Sequence, residues 1–465
     1  MPPGDAALVG IWAALGGAAE RLGNLRVAGA GDLPSVFAVS DLAGASVGAA
    51  CLAVAELVAA RHGAWPAAAV DRRLASLWFG SSLRPEGWSL APAWDGVAGD
   101  YRAGDGWIRL HTNAPHHLAA ALAVLDVPAE RDRVAAAVSL WEAGGLERAI
   151  VEAGGCAAAM RDMNAWAAHP QGQAVAAEPL LHHEPGDPGP APRWTVPADR
   201  PLQGVRVLDM TRVLAGPVAT RFLAGFGAKV LRIDPPGWDE PAIVPGVTLG
   251  KRCARLDLRQ AGDRGTWEGL LRSADVLVHG YRPGALDRLG LGEGRRRALC
   301  PGLIDVSLDA YGWRGPWRGR RGFDSLVQMS SGIAAAGMMR LGRDRPTPLP
   351  VQALDHATGY IMAAAAVRGL TGRLTAGGGC IVRASLARTA ALLTGLPPGN
   401  AAPFAAETAE DYGDVLEATA WGPARRLRPP CLVEGAEAWW GLPATALGTA
   451  AAAWVEQPGR HDKLV

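Results

Sequence analysis

Apolar and polar residues alternate between residues 200 and 310 in a pattern that predicts a parallel α/β sheet. Strands are predicted at 205–208 and in KVLRID, with a helix through AGPVATRFLAGFGA between them. Further strands are predicted in ADVLVHG and GLIDVSL. Strand, helix and strand in this order indicate a right-handed parallel unit, in which ligands bind at the carboxyl ends of the strands. The loops DMTRVLAGP and HGYRPGALDRLG lie at those ends.

Two long stretches of small apolar residues share one pattern. SDLAGASVGAACLAVAELVAA, from Ser40, and LDHATGYIMAAAAVRGL, from Leu354, each carry an Asp near the start of a predicted helix, and a loop, a strand and a second helix follow. The aspartates Asp41 and Asp355 are 355 − 41 = 314 residues apart, far beyond the period of a solenoid repeat. The pattern therefore predicts one supersecondary unit used twice.

Composition and charge narrow the classes of partner and compartment. Lys and Arg (46) balance Asp and Glu (45), so nothing global favours nucleic acid or an anionic membrane. Six scattered cysteines without CxxC spacing argue against a disulfide framework and predict a reducing, cytoplasmic location. The N-terminus shows no signal-peptide pattern. The apolar run LAGASVGAACLAVAELVAA carries Glu56 and is typical of a buried helix of a soluble protein.

Two short motifs are weaker than they look. GASVG around Ser46 matches a hydrolase nucleophile motif, but it falls inside a predicted helix rather than on a strand-to-helix turn. The histidines of HTNAPHH (His111, His116 and His117) lack nearby carboxylates or cysteines to complete a metal site. We therefore expect structural or surface roles for them and no bound metal.

Asp355 lies between the strand-like run PLPVQAL and an Ala-rich helix. An Asp at this place is most often a helix N-cap, which accepts the first backbone N–H groups. A carboxylate at the end of a predicted strand of an α/β sheet is also a candidate nucleophile. Both readings stay open on this stretch alone, and the same two readings apply to Asp41.

Five separated blocks together resemble one known family. They are DMTRVLAGPVATRFLAGFGAKVLRID, LGKRCARLDL, ADVLVHGYRPGALDRLGL, FDSLVQMSSGIA and VQALDHATGY. In this order they resemble the class III coenzyme A-transferases, the formyl-CoA and carnitine-CoA transferase family, over roughly residues 200–395. Residues 33–175 resemble the later part of the same family, since AGDGWIRLHTN is similar to the entry of its small domain. The chain thus resembles the family with its halves in unusual order.

The resemblance implies a Rossmann-like α/β fold with a smaller α+β domain. The predicted organisation is a half-repeat at 1–80, a small α+β domain at 81–183, a Pro/Gly-rich linker at 184–200, a CoA-binding domain at 201–395 and an extension at 396–465. Family members are interlocked homodimers, which implies the same here. The substrates implied are an acyl-CoA and a carboxylic acid, without a permanent cofactor, nucleic acid or membrane partner.

The family's nucleophile is the Asp in the block that holds Asp355. A carboxylate attacks the thioester carbonyl to give an aspartyl anhydride, and the coenzyme A thiolate returns to give an aspartyl-CoA thioester. Backbone N–H groups at the helix start after Asp355 are expected to stabilise the developing oxyanion. For Asp41 a structural role is expected, because no strand-loop blocks precede it.

Residues of the resembling blocks are candidates for binding coenzyme A. Its phosphates require basic side chains. The loops that resemble the family's binding loops supply such side chains, and they also supply the residues expected to line the pantetheine. The candidates are Val213, Leu214, Ala215, Lys251, Arg252, Arg282 and Arg288. Leu214 stands where several transferases have Gln, which weakens transfer of formyl or oxalate substrates to this chain. Gly154 and Gly155 could cover the nucleophile, although a helix-terminating turn explains them as well.

Two alternative functions remain open. An acyl-CoA racemase of the same fold uses a His where this chain has Phe323, so half of a two-base proton transfer is missing. His356 could substitute only if it faced the same site as Asp355. The other alternative is a non-catalytic acyl-CoA-binding subunit, which the unusual half order and the second Asp-bearing copy would allow.

Overall fold

The computed structural model describes residues 3–237, 239–399 and 402–455. The helices are α1 (Pro3–Ala14), α2 (Val39–His62), α3 (Arg72–Gly80), α4 (Pro115–Leu125), α5 (Arg131–Val138), α6 (Ala143–Glu152), α7 (Met163–Ala168), α8 (Pro170–Ala176), α9 (Ala215–Gly225), α10 (Val244–Val247), α11 (Ala261–Leu271), α12 (Glu293–Leu299), α13 (Asp324–Ser330), α14 (Ile333–Arg340), α15 (Ala353–Ala376) and α16 (Leu386–Thr394). The strands are β1 (Leu25–Ala28), β2 (Ala68–Asp71), β3 (Leu83–Pro85), β4 (Gly99–Arg102), β5 (Trp107–Leu110), β6 (Ala157–Ala159), β7 (His182–Pro188), β8 (Arg206–Met210), β9 (Lys229–Asp234), β10 (Lys251–Arg255), β11 (Val276–His279), β12 (Ile304–Asp309), β13 (Gly378–Ser385), β14 (Glu417–Thr419), β15 (Gly422–Arg426) and β16 (Cys431–Val433).

The central sheet has seven strands in the order β10-β9-β8-β11-β12-β13-β7. All neighbours are parallel except β7, which pairs antiparallel with β13. Strands added after β8 go first to one side and then to the other, so the order reverses between β8 and β11. In a doubly wound sheet that reversal opens a crevice at the carboxyl ends of the strands. The predicted α/β class with a Rossmann-like parallel sheet is confirmed.

One predicted strand is wrong. The segment PLPVQAL forms no strand, and α15 begins directly after it at Ala353. Pro348 and Pro350 lack the N–H groups that a sheet ladder needs. The N–H of Leu349 between them donates instead to the side chain of Gln328, at 2.7 Å.

The helices α2 and α15 form the centre of the molecule and pack along each other. Both are 24 residues long, and both end at a glycine in the left-handed conformation, Gly63 and Gly377. The helix Val39–His62 is apolar enough to pass a length test for a membrane span, yet 94% of its apolar window is buried inside the protein. The partner α15 supplies much of that burial.

Smaller sheets lie around this centre. The antiparallel sheet β4-β5-β6 carries α4 to α6 and has its own apolar core, which gives residues 99–159 an α+β arrangement. The sheet β1-β2-β16 joins the N-terminal region to residues 431–433, and β14-β15-β3 joins residues 417–426 to 83–85.

The predicted linker and C-terminal extension take part in the sheets. Residues 182–188 form the edge strand β7 although they are rich in Pro and Gly, because an edge strand tolerates proline on its unpaired side. Strands β14 to β16 lie within the predicted extension 396–465, of which residues 400–401 and 456–465 lie outside the described residues. All six cysteines are free thiols and buried.

Candidate active site

Asp355 lies in the first turn of α15, with a side chain that reaches a cavity. The residue is 6% exposed. The cap position belongs to Gln352, which makes no side-chain cap bond, so the reading of Asp355 as the N-cap is wrong. Within the described residues its carboxyl group has no hydrogen-bond or ion-pair partner. Its carboxyl oxygens are therefore available to a ligand.

The capping acceptor for α15 comes from a neighbouring helix. Asp324, the first residue of α13, accepts the backbone N–H of Asp355 through Oδ2 at 2.9 Å, and it also accepts that of Leu354. Its other oxygen, Oδ1, accepts a short hydrogen bond from the amide of Gln328 at 2.5 Å. Asp324 is fully buried. The carboxylate that caps the helix is thus held beside the one that is free.

Burial and neighbouring acids raise the pKa of both carboxyl groups. Burial, then the charges of Asp324 and Glu240, raise the pKa of Asp355 well above its ordinary value. Burial likewise raises the pKa of Asp324 to about 6, against the opposing effect of its hydrogen bonds. Two carboxyl groups this close do not ionise independently. Burial and these neighbouring acids therefore favour the protonated form of Asp355.

Asp41 occupies the equivalent turn of α2 in a different environment. Its Oδ1 accepts a hydrogen bond from Arg72 Nε at 2.9 Å, and Arg72 also bonds Asp32. Both side chains of the Asp41–Arg72 pair are 13% exposed. The carboxylate of Asp41 is thus paired with a cation in an ion-pair network, which fits its expected structural role.

A large cavity opens beside Asp355. Its volume is about 740 Å³, and its walls come from residues 78–113, 213–247 and 323–356. Most of the lining is apolar or aromatic, including Trp78, Phe79 and Phe323. Three separate parts of one chain therefore enclose the free carboxyl group.

Val213 and Glu240 form a strained contact in the wall of this cavity. Val213 has a φ of 63°, a conformation rare for a β-branched residue. Its N–H points to both oxygens of Glu240, at 3.1 and 3.0 Å. Glu240 is 3% exposed and lies 3.5 Å from the guanidinium of Arg232. The strain is thus balanced by a charge-assisted hydrogen bond to an anchored carboxylate.

The first turn of α15 offers little to an oxyanion, contrary to expectation. Its N–H groups at Leu354 and Asp355 donate to Asp324, and that of His356 donates to Gln352 O at 3.1 Å. The N-terminus of α9 differs, because the N–H groups of Leu214 and Ala215 have no acceptor among the described residues. A helix N-terminus with unpaired N–H groups is a favourable place for negative charge.

The predicted binding residues divide into three places. Val213 and Leu214 line the cavity with Asp355, and Ala215 is the buried first residue of α9 beside them. Lys251 is 1% exposed, and its ammonium bonds Asp209 at 3.0 Å and Thr220 at 2.7 Å. Burial lowers the pKa of Lys251 to about 8. Its ammonium group belongs to the interior of the sheet and does not face a ligand.

The three arginines among the predicted residues remain near the surface. Arg252 follows Lys251 on β10 and so points to the opposite face, where its Nε has no hydrogen-bond partner among the described residues. Arg288 is exposed and lines a shallow depression with Arg259, Arg264 and Arg295. Arg282 lines a separate polar depression.

Arg321 joins this basic group, although the sequence analysis did not select it. Burial, then the charges of Arg321 and Arg288, lower the pKa of Arg282, so Arg282 is within electrostatic reach of both. Arg321 donates to Gly154 O at 3.2 Å. Gly154 itself has a φ of 86° in the turn that ends α6, as the turn reading of the glycine pair predicts.

Two of the three histidines of HTNAPHH pack against Phe323. His111 stacks on Phe323 with ring centroids 3.6 Å apart, and His117 meets the same ring edge-on. Burial lowers the pKa of His111 and of His117 to about 3, so both rings are neutral. No group of three or more potential ligands is placed to hold a metal ion in the part of the chain that the structure describes.

His356 faces the same cavity as Asp355, although the two are adjacent in sequence. Its ring stacks on Phe79 with centroids 5.0 Å apart, and its Nδ1 has no hydrogen-bond partner in the described part of the chain. Burial, and then the charge of Arg221, lower its pKa to about 3. His356 is therefore a neutral ring.

Three residues of the site were absent from the predicted set. Asp324 lies in a block that carries the resemblance, so its motif contained the signal. Arg221 also lies in such a block and Glu240 lies outside them, but no pattern indicated that either side chain would line the cavity, because their burial and orientation depend on packing between distant segments.

Comparison with known proteins supports the resemblance over part of the chain. Residues 202–420 match the family model described as CoA-transferase family III. A probable fatty acyl-CoA transferase of Mycobacterium tuberculosis, Rv3272, is 32% identical over 188 residues, which cover 37% of this chain and 47% of that protein. The succinyl-CoA:glutarate CoA-transferase of Mus musculus is 32% identical over 202 residues, which cover 40% of this chain and 45% of that protein. The chain spans about half the length of these curated relatives.

A solved structure gives the same partial coverage. The crystal structure of Rv3272 from M. tuberculosis aligns at 30% identity with 41% of this chain and 57% of that chain, with a TM-score of 0.38. The predicted family resemblance is confirmed for residues 202–420 by the match to the family model.

Proposed function

We propose, from the match of residues 202–420 to CoA-transferase family III, that this chain transfers coenzyme A from an acyl-CoA thioester to a carboxylic acid, with Asp355 as the nucleophile. The observation that carries the proposal is the free carboxyl group of Asp355 on the wall of a large cavity. A structural Asp at a helix start would be bonded, as Asp41 is to Arg72.

The reaction needs only carboxylates and one thiolate. The ionised carboxylate of Asp355 attacks the thioester carbonyl, the carbon–sulfur bond breaks, and coenzyme A leaves as a thiolate. The thiolate attacks the aspartyl carbonyl of the mixed anhydride and releases the first acid. The acceptor carboxylate then displaces the thiolate from the aspartyl-CoA thioester, and the thiolate takes the new acyl group and frees Asp355.

The residues around Asp355 serve these steps in different ways. The N–H groups of Leu214 and Ala215 are placed to stabilise the oxyanion of each tetrahedral intermediate. Asp324 holds the first turn of α15 and, through its charge, raises the pKa of Asp355. Burial leaves the ionised carboxylate of Asp355 poorly solvated. Because it has little solvation to lose when it attacks, nucleophilic attack is favoured once the group is charged.

The position of coenzyme A is proposed from the distribution of basic side chains. We place its phosphates near the basic group of Arg282, Arg288 and Arg321, and Arg252 on the edge strand β10 is a further candidate. Lys251 takes no part, because its ammonium is bonded inside the fold. The pantetheine then passes along Val213 and Leu214 to Asp355.

The assembly and location belong to the proposal as well. Six buried free thiols support a reducing, cytoplasmic location. Homodimerisation rests on the family resemblance, and light scattering of the purified chain measures it.

Intact-protein mass spectrometry tests the proposal. The protein is mixed with a panel of acyl-CoA thioesters and then with hydroxylamine, which converts an aspartyl anhydride or thioester to a stable hydroxamate. We expect the hydroxamate on Asp355, and none in Asp355→Asn. Modification at Asp41, or at no residue with any thioester, would overturn the proposal.

A proton-transfer reaction is the second candidate, because one observation favours it. The neutral ring of His111 lies against Phe323 and lines the cavity with Asp324 and Asp355. A racemase would exchange the α-hydrogen of an acyl-CoA with solvent deuterium. Exchange that His111→Gln abolishes and that needs no acceptor acid would favour this alternative.

A further inference from the structure

A second charged group lines the cavity that holds Asp355. Arg221, on α9, is 4% exposed and lines the cavity. Its Nη1 donates to Gly246 O at 2.7 Å and lies 3.5 Å from Ser82 Oγ, and its guanidinium stacks on Trp78 at 4.6 Å. Gly246, Ser82 and Trp78 all line the same cavity.

No carboxylate within the described residues neutralises this guanidinium. Its Nη2 is buried without a hydrogen-bond partner. Burial lowers the pKa of Arg221 to about 10, so the group is still a cation at neutral pH. Among its neighbours, the phenol of Tyr360 does most to raise the pKa of Arg221. Glu417, the acid that also raises it, already bonds Arg426 at 2.7 Å.

Several other buried arginines among the described residues have an acid partner. Arg232 bonds Asp234 at 2.8 Å, and Arg296 bonds Asp305 at 2.8 Å. An unneutralised buried charge is costly to the fold. A cation kept at that cost on the wall of a cavity points to a ligand that supplies the missing negative charge.

Arg221 and Asp355 line the same cavity, whose volume is about 740 Å³. The ring of His356, next to Asp355, lies within reach of the charge of Arg221. A ligand whose carbonyl carbon lies at Asp355 can therefore direct an anionic group at its other end to Arg221.

We propose that Arg221 binds a second carboxylate on the substrate, so that this chain transfers coenzyme A to or from short dicarboxylic acids. The inference rests on the proposed function for the identity of the reaction. The aromatic walls of Trp78 and Phe79 contact the methylene spacer, and Ser82 offers a hydroxyl to the same carboxylate. A monocarboxylic acyl group leaves the guanidinium without its partner.

Matched substrates test the inference. Succinyl-CoA and butyryl-CoA serve as donors, and glutarate and pentanoate as acceptors, so each pair differs mainly in one carboxylate. We expect kcat/KM at least tenfold higher for the dicarboxylic member of each pair. Arg221→Met should bring both ratios to within about threefold of one.

Two further variants keep the result interpretable. Arg221→Lys retains a cation and should retain part of the preference, and it serves in place of the Met variant if that protein does not fold. Arg388→Met is the matched control, because Arg388 lies outside the cavity, its Nε is buried without a partner, and no ion pair holds it. That change should leave the preference as it is in the parent protein.

Binding measurements separate this inference from the proposed function. Calorimetry compares glutarate with pentanoate on the parent protein and on Arg221→Met, without any turnover. Tighter binding of glutarate that depends on Arg221 supports the site even if no thioester ever modifies Asp355. Equal binding of the two acids, or a preference that survives Arg221→Met, overturns it even if transfer between monocarboxylic acids is fast.

Discussion

The backbone N–H of Asp355 donates to Oδ2 of Asp324 at 2.9 Å. The bond ties the first turn of α15 to the start of α13 and keeps a second carboxyl group beside the free one. The carboxylate that caps the helix and the carboxyl group that faces the cavity thus belong to two different residues. The raised pKa of Asp355 follows from this division together with burial.

Asp324→Asn should move the pH dependence of aspartyl-adduct formation to lower pH. Asn keeps an oxygen for the N–H of Asp355 but removes the charge that raises the pKa of Asp355, so the carboxylate forms at lower pH. We expect the midpoint of the rate profile to fall by roughly one unit. The measurement is single-turnover modification between pH 4 and 9. Asp309→Asn, outside the cavity, is the control, and an unchanged midpoint in Asp324→Asn would refute the coupling.

Asp355→Asn and Asp41→Asn should have opposite effects on stability and activity. Asp355→Asn removes a buried acid that repels its neighbours, so it should keep or raise Tm while turnover falls by about a thousandfold or more. Because the folded state raises the pKa of Asp355, ionisation costs stability as pH rises. The gain from Asn should therefore be larger at pH 8 than at pH 5.

Asp41→Asn should instead destabilise the fold by about 1–3 kcal/mol, since it breaks a half-buried ion pair with Arg72. Its turnover per folded molecule should stay within a few-fold of the parent. Thermal unfolding and steady-state assays measure both variants. Loss of turnover in Asp41→Asn alone would assign the chemistry to α2.

Val213→Gly should stabilise the protein by about 1 kcal/mol in spite of the extra freedom that Gly gives the unfolded chain. The φ of 63° is unfavourable for Val and free of strain for Gly. Chemical denaturation measures the change. Val205→Gly, at a fully buried position without that conformation, should lower stability instead. A loss at both positions would show that the contact of Val213 with Glu240 carries no strain.

Asp309 should make stability fall as pH rises. Burial raises its pKa to about 7 from an ordinary value of 3.8. The folded state therefore holds a proton that the unfolded chain releases, and this contribution is complete below about pH 4 and lost through pH 7. The parent should lose on the order of 3 kcal/mol more than Asp309→Asn between pH 4 and 8. Parallel pH profiles for the two proteins would contradict the raised pKa.

The sequence predicted those features that depend on local pattern. KVLRID coincides with β9 at Lys229–Asp234, and the Ala-rich run after Asp355 coincides with α15. The strand predicted in PLPVQAL is wrong because Pro348 and Pro350 lack the N–H groups that a sheet ladder needs. The alternation of apolar residues alone does not test for these donors. Lys251 shows the same limit: a basic residue in a binding motif can turn inward when the facing helix offers Asp209 and Thr220.

The missing residues of the site required the tertiary structure. Glu240 and Arg221 reach the cavity from a loop and a helix that sequence patterning treats as ordinary. Their chemical meaning comes from what surrounds them: one carboxylate next to Asp355, and one guanidinium without an acid. No spacing in the chain encodes either relation.

The pairing of α2 with α15 has a consequence for synthesis of the protein. Helix Val39–His62 is completed about 300 residues before its main partner Ala353–Ala376, an interval of about 15–60 s at the usual pace of translation. During that time the most apolar helix of the chain lacks the surface that buries it. Long-range contacts of this kind slow folding and prolong exposure of apolar segments. The nascent N-terminal region should therefore depend on chaperones more than the seven-stranded central sheet, whose strands pair largely with neighbours made soon after them.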